Sequence, residues 1–340
     1  MSSVIISDPT LRDGNHAIGH QLSEAQIAQY CRLADDANIP IVEVGHGNGI
    51  GASSLQLGES KTSDHVVLQT ARENLKKSLL GIHVIPGFAT IKKDLKPAIE
   101  MGVDVIRVAA HCSEADVTER HIRFSREAGK TVYGVLMMSH MLSPTLLAEE
   151  AAKMESYGAE RIILMDSAGY YLPQDVKDRV STLLNVLSIP VGFHAHNNLG
   201  MAIANSVAAV EVGATMLDGC IRGFGAGAGN AQLEVLVAVL KRLEINTNID
   251  LKKLLKLADF SEKELLLKIP TISSSSVVSG LAGVFSGFMK PVARIAEEYG
   301  VDPFDIFFEL GKRNIVAGQE DIIIEVAEDL SHHSKKLVIE

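Results

Sequence analysis

Cysteine is scarce: Cys31, Cys112 and Cys220 are the only three among 340 residues, widely separated and odd in number. Such spacing fits neither a disulfide framework nor a thiolate metal cluster, so buried structural thiols are expected. Long apolar runs are missing as well. No segment approaches the roughly 18 uninterrupted apolar residues that span a bilayer, and residues 1–8 lack a basic stretch leading into an apolar one. No membrane partner is expected, and a cytoplasmic protein is. Positive charge is in deficit, with 32 Lys and Arg against 42 Asp and Glu for a net charge of -10. Generic attraction to nucleic acid or anionic lipid is therefore not expected. Nucleotide fingerprints are absent too. The glycine-rich stretches Gly45-His46-Gly47-Asn48-Gly49-Ile50-Gly51 and Gly223-Phe224-Gly225-Ala226-Gly227-Ala228-Gly229-Asn230 contain neither G-x-G-x-x-G nor a P-loop ending. They read as tight turns, or as backbone that can approach a small anion.

What is present is the material of a core. Apolar residues make up 46% and charged residues 22%, a soluble globular balance that a disordered chain lacks. The length allows about two domains of roughly 150 residues, or one α/β barrel of about 250 residues with an appendage. Short β-branched or apolar runs at residues 4–7, 41–44, 81–85, 105–109, 132–137, 161–165, 190–193 and 215–217 alternate with stretches of helical periodicity. Among the latter are 23–36, where Ser23 and Gln26 have capping-box spacing, and 144–157, with Ser143 as N-cap and Pro144 in the first turn. Eight β-then-α repeats ending near residue 240 predict an α/β fold, a (β/α)₈ TIM barrel, over a doubly wound sheet. After residue 250 the segments 251–257, 263–267, 291–299 and 321–330 all read as helices. The expected division is a catalytic barrel at 1–249 and a helical region at 250–340 covering its mouth. The Ser273–Ser276 run is equally compatible with a connector, a capping segment or a pocket lining.

His194-Ala195-His196 ends the seventh candidate strand, and i, i+2 spacing puts both imidazoles on one face. In a parallel barrel that face lies at the C-terminal mouth, where active sites are built. The first strand leads into Arg12-Asp13-Gly14-Asn15-His16 at the same end, and Asp13 is the best third donor for a two-His, one-carboxylate site. Two histidines bonded in a polar loop and an Arg-Asp surface pair are the plainer readings. Such donors suit Mn²⁺, Fe²⁺, Co²⁺ or Zn²⁺, in a hydrolase, an iron oxygenase or a lyase. Arg12 and His16 favour the last, since a cation beside a metal stabilises an enolate and a free imidazole moves a hydroxyl proton. Ser167, in Asp166-Ser167-Ala168-Gly169 after the sixth strand, offers a hydroxyl to the mouth or a helix cap.

In order along the chain, Thr10-Leu11-Arg12-Asp13-Gly14-Asn15-His16-Ala17-Ile18, Val42-Glu43-Val44-Gly45-His46-Gly47, Arg107-Val108-Ala109-Ala110-His111-Cys112-Ser113-Glu114-Ala115-Asp116, Met137-Met138-Ser139-His140-Met141, His194-Ala195-His196-Asn197-Asn198 and Gly225-Ala226-Gly227-Ala228-Gly229-Asn230-Ala231 occur together. This set resembles the 4-hydroxy-2-oxovalerate aldolase family over nearly the whole chain, through Gly318-Gln319-Glu320-Asp321. The resemblance implies a class II pyruvate aldolase of aromatic hydrocarbon catabolism, with Asp13, His194 and His196 as ligands of Mn²⁺, or of Co²⁺ or Mg²⁺. It implies His16 as the base that takes the C4 hydroxyl proton, Arg12 as the enolate's cation, and Arg12, Ser167 and His194 as contacts to a 2-oxo acid. It also implies an acylating aldehyde dehydrogenase partner that receives the aldehyde, and an oligomer. A Claisen-type acyl-CoA lyase or synthase of the same superfamily, or a non-catalytic binding protein, are the alternatives. One departure stands out: Gly280-Leu281-Ala282-Gly283-Val284-Phe285 replaces a family element with tyrosines at the positions of Leu281 and Phe285. The resemblance therefore leaves C4 stereochemistry and aldehyde preference open, with a bulkier or less polar aldehyde expected.

Overall fold

A computed structural model describes residues 3–265, 268–316 and 318–337. Eight strands close in chain order into a parallel barrel: β1 (Ile5–Leu11), β2 (Ile41–Val44), β3 (Leu79–Val84), β4 (Val105–His111), β5 (Thr131–Met137), β6 (Arg161–Asp166), β7 (Val191–Ala195) and β8 (Met216–Asp218). Closure comes from β1 against β8, where Ile5 faces Met216 and Ile6 faces Leu217. This decides for the barrel over the open sheet. Parallel pairing requires a crossover after each strand, supplied by α1 (Glu24–Asp36), α2 (Asp64–Asn74), α3 (Lys96–Glu100), α4 (Glu119–Glu127), α5 (Pro144–Tyr157), α6 (Pro173–Val186), α7 (Ala202–Glu211) and α8 (Leu233–Arg242).

Both expected caps form. The Gln26 N–H donates to Ser23 Oγ (3.4 Å) while the Ser23 N–H donates to Gln26 Oε1 (2.9 Å), and the Leu146 N–H donates to Ser143 Oγ (3.4 Å). The first strand is longer than expected, running on through Pro9 to Leu11. Proline cannot donate to a ladder, and the β1–β2 register shifts between Asp8 and Leu11 to accommodate it. That irregularity carries the chain to the mouth at Arg12. The three thiols are free and buried.

Beyond the barrel lie α9 (Leu251–Glu264), α10 (Ser274–Ala282), α11 (Met289–Tyr299), α12 (Pro303–Lys312) and α13 (Asp321–Leu337). The segments read separately as 251–257 and 263–267 belong to one helix, α9, as far as Glu264; residues 266 and 267 lie outside the described residues. Leu254, Leu257 and Ala258 of α9 join the core between barrel and helices, so the region expected from 250 onward opens with a helix packed on the barrel. A second core begins at Val284, where Phe288, Val292, Ile306, Phe307, Leu310, Ile323 and Val326 pack together. Ser273 proves to be a capping residue, exchanging backbone-to-hydroxyl bonds with Ser276 at the start of α10. The α12 helix was not apparent in the periodicity, although Asp302 caps it through the Phe304 N–H (2.8 Å) and Pro303 opens it.

The cap sits on the C-terminal end of the strands. Ser286 Oγ donates to the Ser167 carbonyl after β6 (3.1 Å) and accepts from Asn198 Nδ2 after β7 (3.0 Å). His140, after β5, bonds the Gly283 carbonyl (2.9 Å).

Candidate active site and metal centre

Inward-facing side chains form the barrel's interior. Ile41, Val105, Tyr133, Ile163 and Met216 make an apolar floor, and two residues further along three of the same strands the interior turns charged, with Glu43, Arg107 and Asp218. Period-2 alternation keeps each of these on the inner face. Burial of such groups is tolerated only when they are paired, and here they form one continuous chain. Arg12 Nε donates to Glu43 Oε1 (2.5 Å), Arg107 Nη1 pairs with Glu43 Oε2 (3.1 Å), Arg107 Nη2 donates to Asp218 Oδ2 (2.5 Å), and Asp218 Oδ2 accepts from His194 Nδ1 (2.8 Å).

The last link decides what His194 can do. With Nδ1–H directed at Asp218, Nε2 is left facing Asp13 Oδ2 at 3.3 Å, and it has no hydrogen-bond partner although buried. His196 Nε2 lies 3.8 Å from the same oxygen. Ligand atoms of Asp13, His194 and His196 all fall within 4.8 Å of one another, and all three residues are buried. A carboxylate and two imidazoles with an orphaned nitrogen, backed by an Asp–His bond, fit a divalent cation. Asn230 Nδ2 steadies the carboxylate (3.0 Å to Asp13 Oδ2). Burial alone pushes the Asp13 carboxyl up, but Arg12, His194 and His196 outweigh it and hold the group well below the usual carboxylate range. It is a charged donor at neutral pH.

Arg12 adjoins this cluster, with Nη1 3.8 Å from Asp13 Oδ2 and 3.1 Å from the Gly47 carbonyl it bonds, and Nη2 buried without a partner. His16 stands on the other side of Gly47. A Cβ at Gly47 would come within about 2.5 Å of the imidazole, so the ring occupies space that only glycine leaves. His16 also meets His20 edge-on at 5.3 Å, and His20 stacks on His46 at 3.7 Å. Burial, with the charges of Arg12 and His46 set against that of Asp13, pushes His16 down to about 4. It is a neutral imidazole, able to accept a proton. His16 and Phe285 line a cavity of about 820 Å³ between the mouth loops and the cap. Ser167 is engaged within the protein as well: its Oγ accepts from the Met138 N–H (2.9 Å), which leaves its hydroxyl proton to donate, and its carbonyl holds Ser286.

Thus Asp13, His194 and His196 converge, Arg12 and His16 flank them, and Ser167 serves the seam between barrel and cap. Glu43, Arg107, Asp218 and Asn230 received no role from sequence. The signal available for the first three was a charge inside a β-branched strand run, which in a barrel points inward.

Known proteins resolve what this constellation belongs to. The HMGL-like family model matches residues 3–260, and the DmpG-like communication domain matches residues 270–332. The protein "4-hydroxy-2-oxovalerate aldolase" of Spirochaeta aurantia is 63% identical over 334 residues, covering 98% of each chain. The chain belongs to the 4-hydroxy-2-oxovalerate aldolase family. Proteins of the same name from Pectobacterium atrosepticum and Streptomyces tendae are 62% and 55% identical, with 98% and 95% of this chain covered and 98% and 90% of theirs. Among solved structures, the carboxyl transferase domain from Rhizobium etli pyruvate carboxylase superposes with a TM-score of 0.81 over 97% of this chain and 60% of that one. At 17% identity that likeness shows the fold alone. No helix among the described residues is long and apolar enough to cross a membrane.

Proposed function

We propose that this aldolase-family chain catalyses the reversible, divalent-metal-dependent cleavage of a 4-hydroxy-2-oxo acid to pyruvate and an aldehyde. The observation that carries this is the Asp13, His194 and His196 cluster lying beside both Arg12 and an uncharged His16. Those three residues would hold the ion, with Mn²⁺ the favoured metal and Co²⁺ or Mg²⁺ as substitutes. When bound, it supplies Lewis-acid polarisation of the 2-oxo group.

The residues then divide the work. His16 takes the proton of the C4 hydroxyl as the C3–C4 bond breaks; the bond's electron pair passes to C3, and C4 leaves as the aldehyde carbonyl. Arg12, its Nε anchored on Glu43, offers its unpartnered Nη2 to the negative charge growing on the pyruvate oxygens. Its pairing with Glu43 preorganises the guanidinium, so no reorientation is needed as charge develops. His194 and Ser167 are assigned to contacts with the 2-oxo acid. Leu281 is exposed and Phe285 lines the cavity, so no phenol hydroxyl is offered there, consistent with a bulkier or less polar aldehyde.

The division of labour follows the chain: the barrel, about 1–249, carries the chemistry, and within 250–340 the helices after α9 cover the mouth. We assign that cap to docking an acylating aldehyde dehydrogenase, on the communication-domain match and the exposed Leu281 and Phe308. Co-elution at micromolar concentration on size-exclusion chromatography is the expected result, and separate elution would remove the assignment. For the reaction itself, pyruvate release from a 4-hydroxy-2-oxo acid, coupled to lactate dehydrogenase, should require Mn²⁺ or a substitute. His16→Ala should lower kcat by about 10²–10⁴-fold with Mn²⁺ binding retained. An inactive wild type, or a fully active His16→Ala, would sink the mechanism.

A further inference from the structure

The cavity in front of His16, at about 820 Å³, lies in the upper part of the roughly 300–1,000 Å³ range of pockets that enclose a drug-sized ligand. A five-carbon hydroxy-oxo acid leaves most of it unfilled. Its walls are mixed in chemistry. His16 and His20 come from the barrel, Phe285, Met289 and Ile295 are apolar, and Lys268, Lys290 and Arg294 present cations.

Lys290 and Arg294 are four residues apart on α11 and share a face. Lys290 is close enough to His20 for its charge to act on that ring. Among the described residues none of the three cations has an ion-pair partner. Two other cations of the cap are matched: Lys312 pairs with Glu309 (2.5 Å), and Arg313 with Glu325 (2.8 Å) and Asp329 (3.0 Å). Glu320 and Asp321 also face the cavity, Glu320 already accepting from the Gly318 N–H (3.3 Å). The cavity keeps an excess of positive charge in a chain whose net charge is -10.

Resting on the aldolase reading above, we propose that this cavity takes 4-hydroxy-2-oxo acids whose aldehyde-derived half ends in a carboxylate, bound by Lys268, Lys290 and Arg294. The aldehyde released is then a semialdehyde. The pyruvyl end lies toward Arg12, the C4 hydroxyl at His16, the intervening methylenes along Phe285 and Ile295, and the distal carboxylate at the cations. That carboxylate is unchanged when the C3–C4 bond breaks, so holding it strengthens ground state and transition state alike and lowers KM more than it raises kcat.

The test is aldol addition of pyruvate by the full chain with saturating Mn²⁺, using acetaldehyde, pentanal and succinic semialdehyde. The kcat/KM for succinic semialdehyde should exceed that for pentanal, an uncharged chain of matching length, by about tenfold or more. The difference should lie mainly in KM and shrink with added salt. In Lys290→Ala/Arg294→Ala the ratio should fall to about one. Calorimetry gives a readout without turnover: 2-oxoheptanedioate should bind more tightly than 2-oxoheptanoate, and the double variant should lose the difference. A wild-type ratio near one with acetaldehyde still converted overturns this proposal alone, as does a high ratio that survives both substitutions. Absence of product from every aldehyde overturns the aldolase reading and this proposal with it.

Discussion

Inside the barrel, Arg12, Glu43, Arg107, Asp218 and His194 are all buried and each touches the next. In the cavity under the cap, Lys268, Lys290 and Arg294 are exposed side chains without ion-pair partners among the described residues. The physics of each place explains the contrast. In a low-dielectric interior an unmatched charge is too costly to keep, so every charge must be answered, and the answered set becomes rigid. A solvated cavity leaves its cations free for a ligand at little cost. Chemistry that needs preorganised groups therefore sits in the first region, and selection among substrates is assigned to the second.

The sharpest way to break the comparison is to remove a link from the buried chain. Arg107→Leu strands the carboxylates of Glu43 and Asp218 and should cost about 3–5 kcal/mol of stability, measured by urea unfolding. A loss below about 1 kcal/mol, in the range of exposed pairs, would mean that the interior charges are not interdependent. Asp218→Asn should preserve the shape but weaken the orientation of His194, lowering Mn²⁺ affinity by about 10–100-fold in calorimetry. Unchanged affinity would separate the chain from the metal centre.

A smaller effect concerns pH. His16 works as a base only when neutral, and burial sets its protonation near pH 4 in place of the ordinary 6.5. With saturating Mn²⁺, kcat should thus stay flat from pH 7 down to about 5 and fall only as pH drops toward 4. An acid limb centred near 6.5 would show that the imidazole is solvated in the working enzyme. Least in size, Phe285→Tyr returns a hydroxyl to the cavity wall and should shift kcat/KM toward acetaldehyde over pentanal by a few fold. No shift across an aldehyde series would take Phe285 out of substrate selection.

Much of this was legible beforehand because it is local. Period-2 and helical patterns marked all eight strands, Ser23 and Ser143 announced their helices, and His194 and His196 had to share a strand face. Pro9 misled, since a proline reads as a strand end unless a register shift absorbs it. The capping role of Ser273 and the α12 helix needed backbone geometry, as serine runs and Asp-Pro pairs serve several structures equally well.

Sequence by itself determined the order of the barrel's strands, the family, and the donors available for a metal, because alternation, capping and motif order are properties of neighbouring residues. Only the tertiary structure decided which distant charges meet. Glu43, Arg107 and Asp218 come from β2, β4 and β8, and nothing along the chain says that they join Arg12 to His194. The same holds for the cavity, where a connector and a cap helix bring Lys268, Lys290 and Arg294 over His16. Barrel closure and cap docking bring these residues together, and contacts of that range are set by packing, which no local pattern encodes.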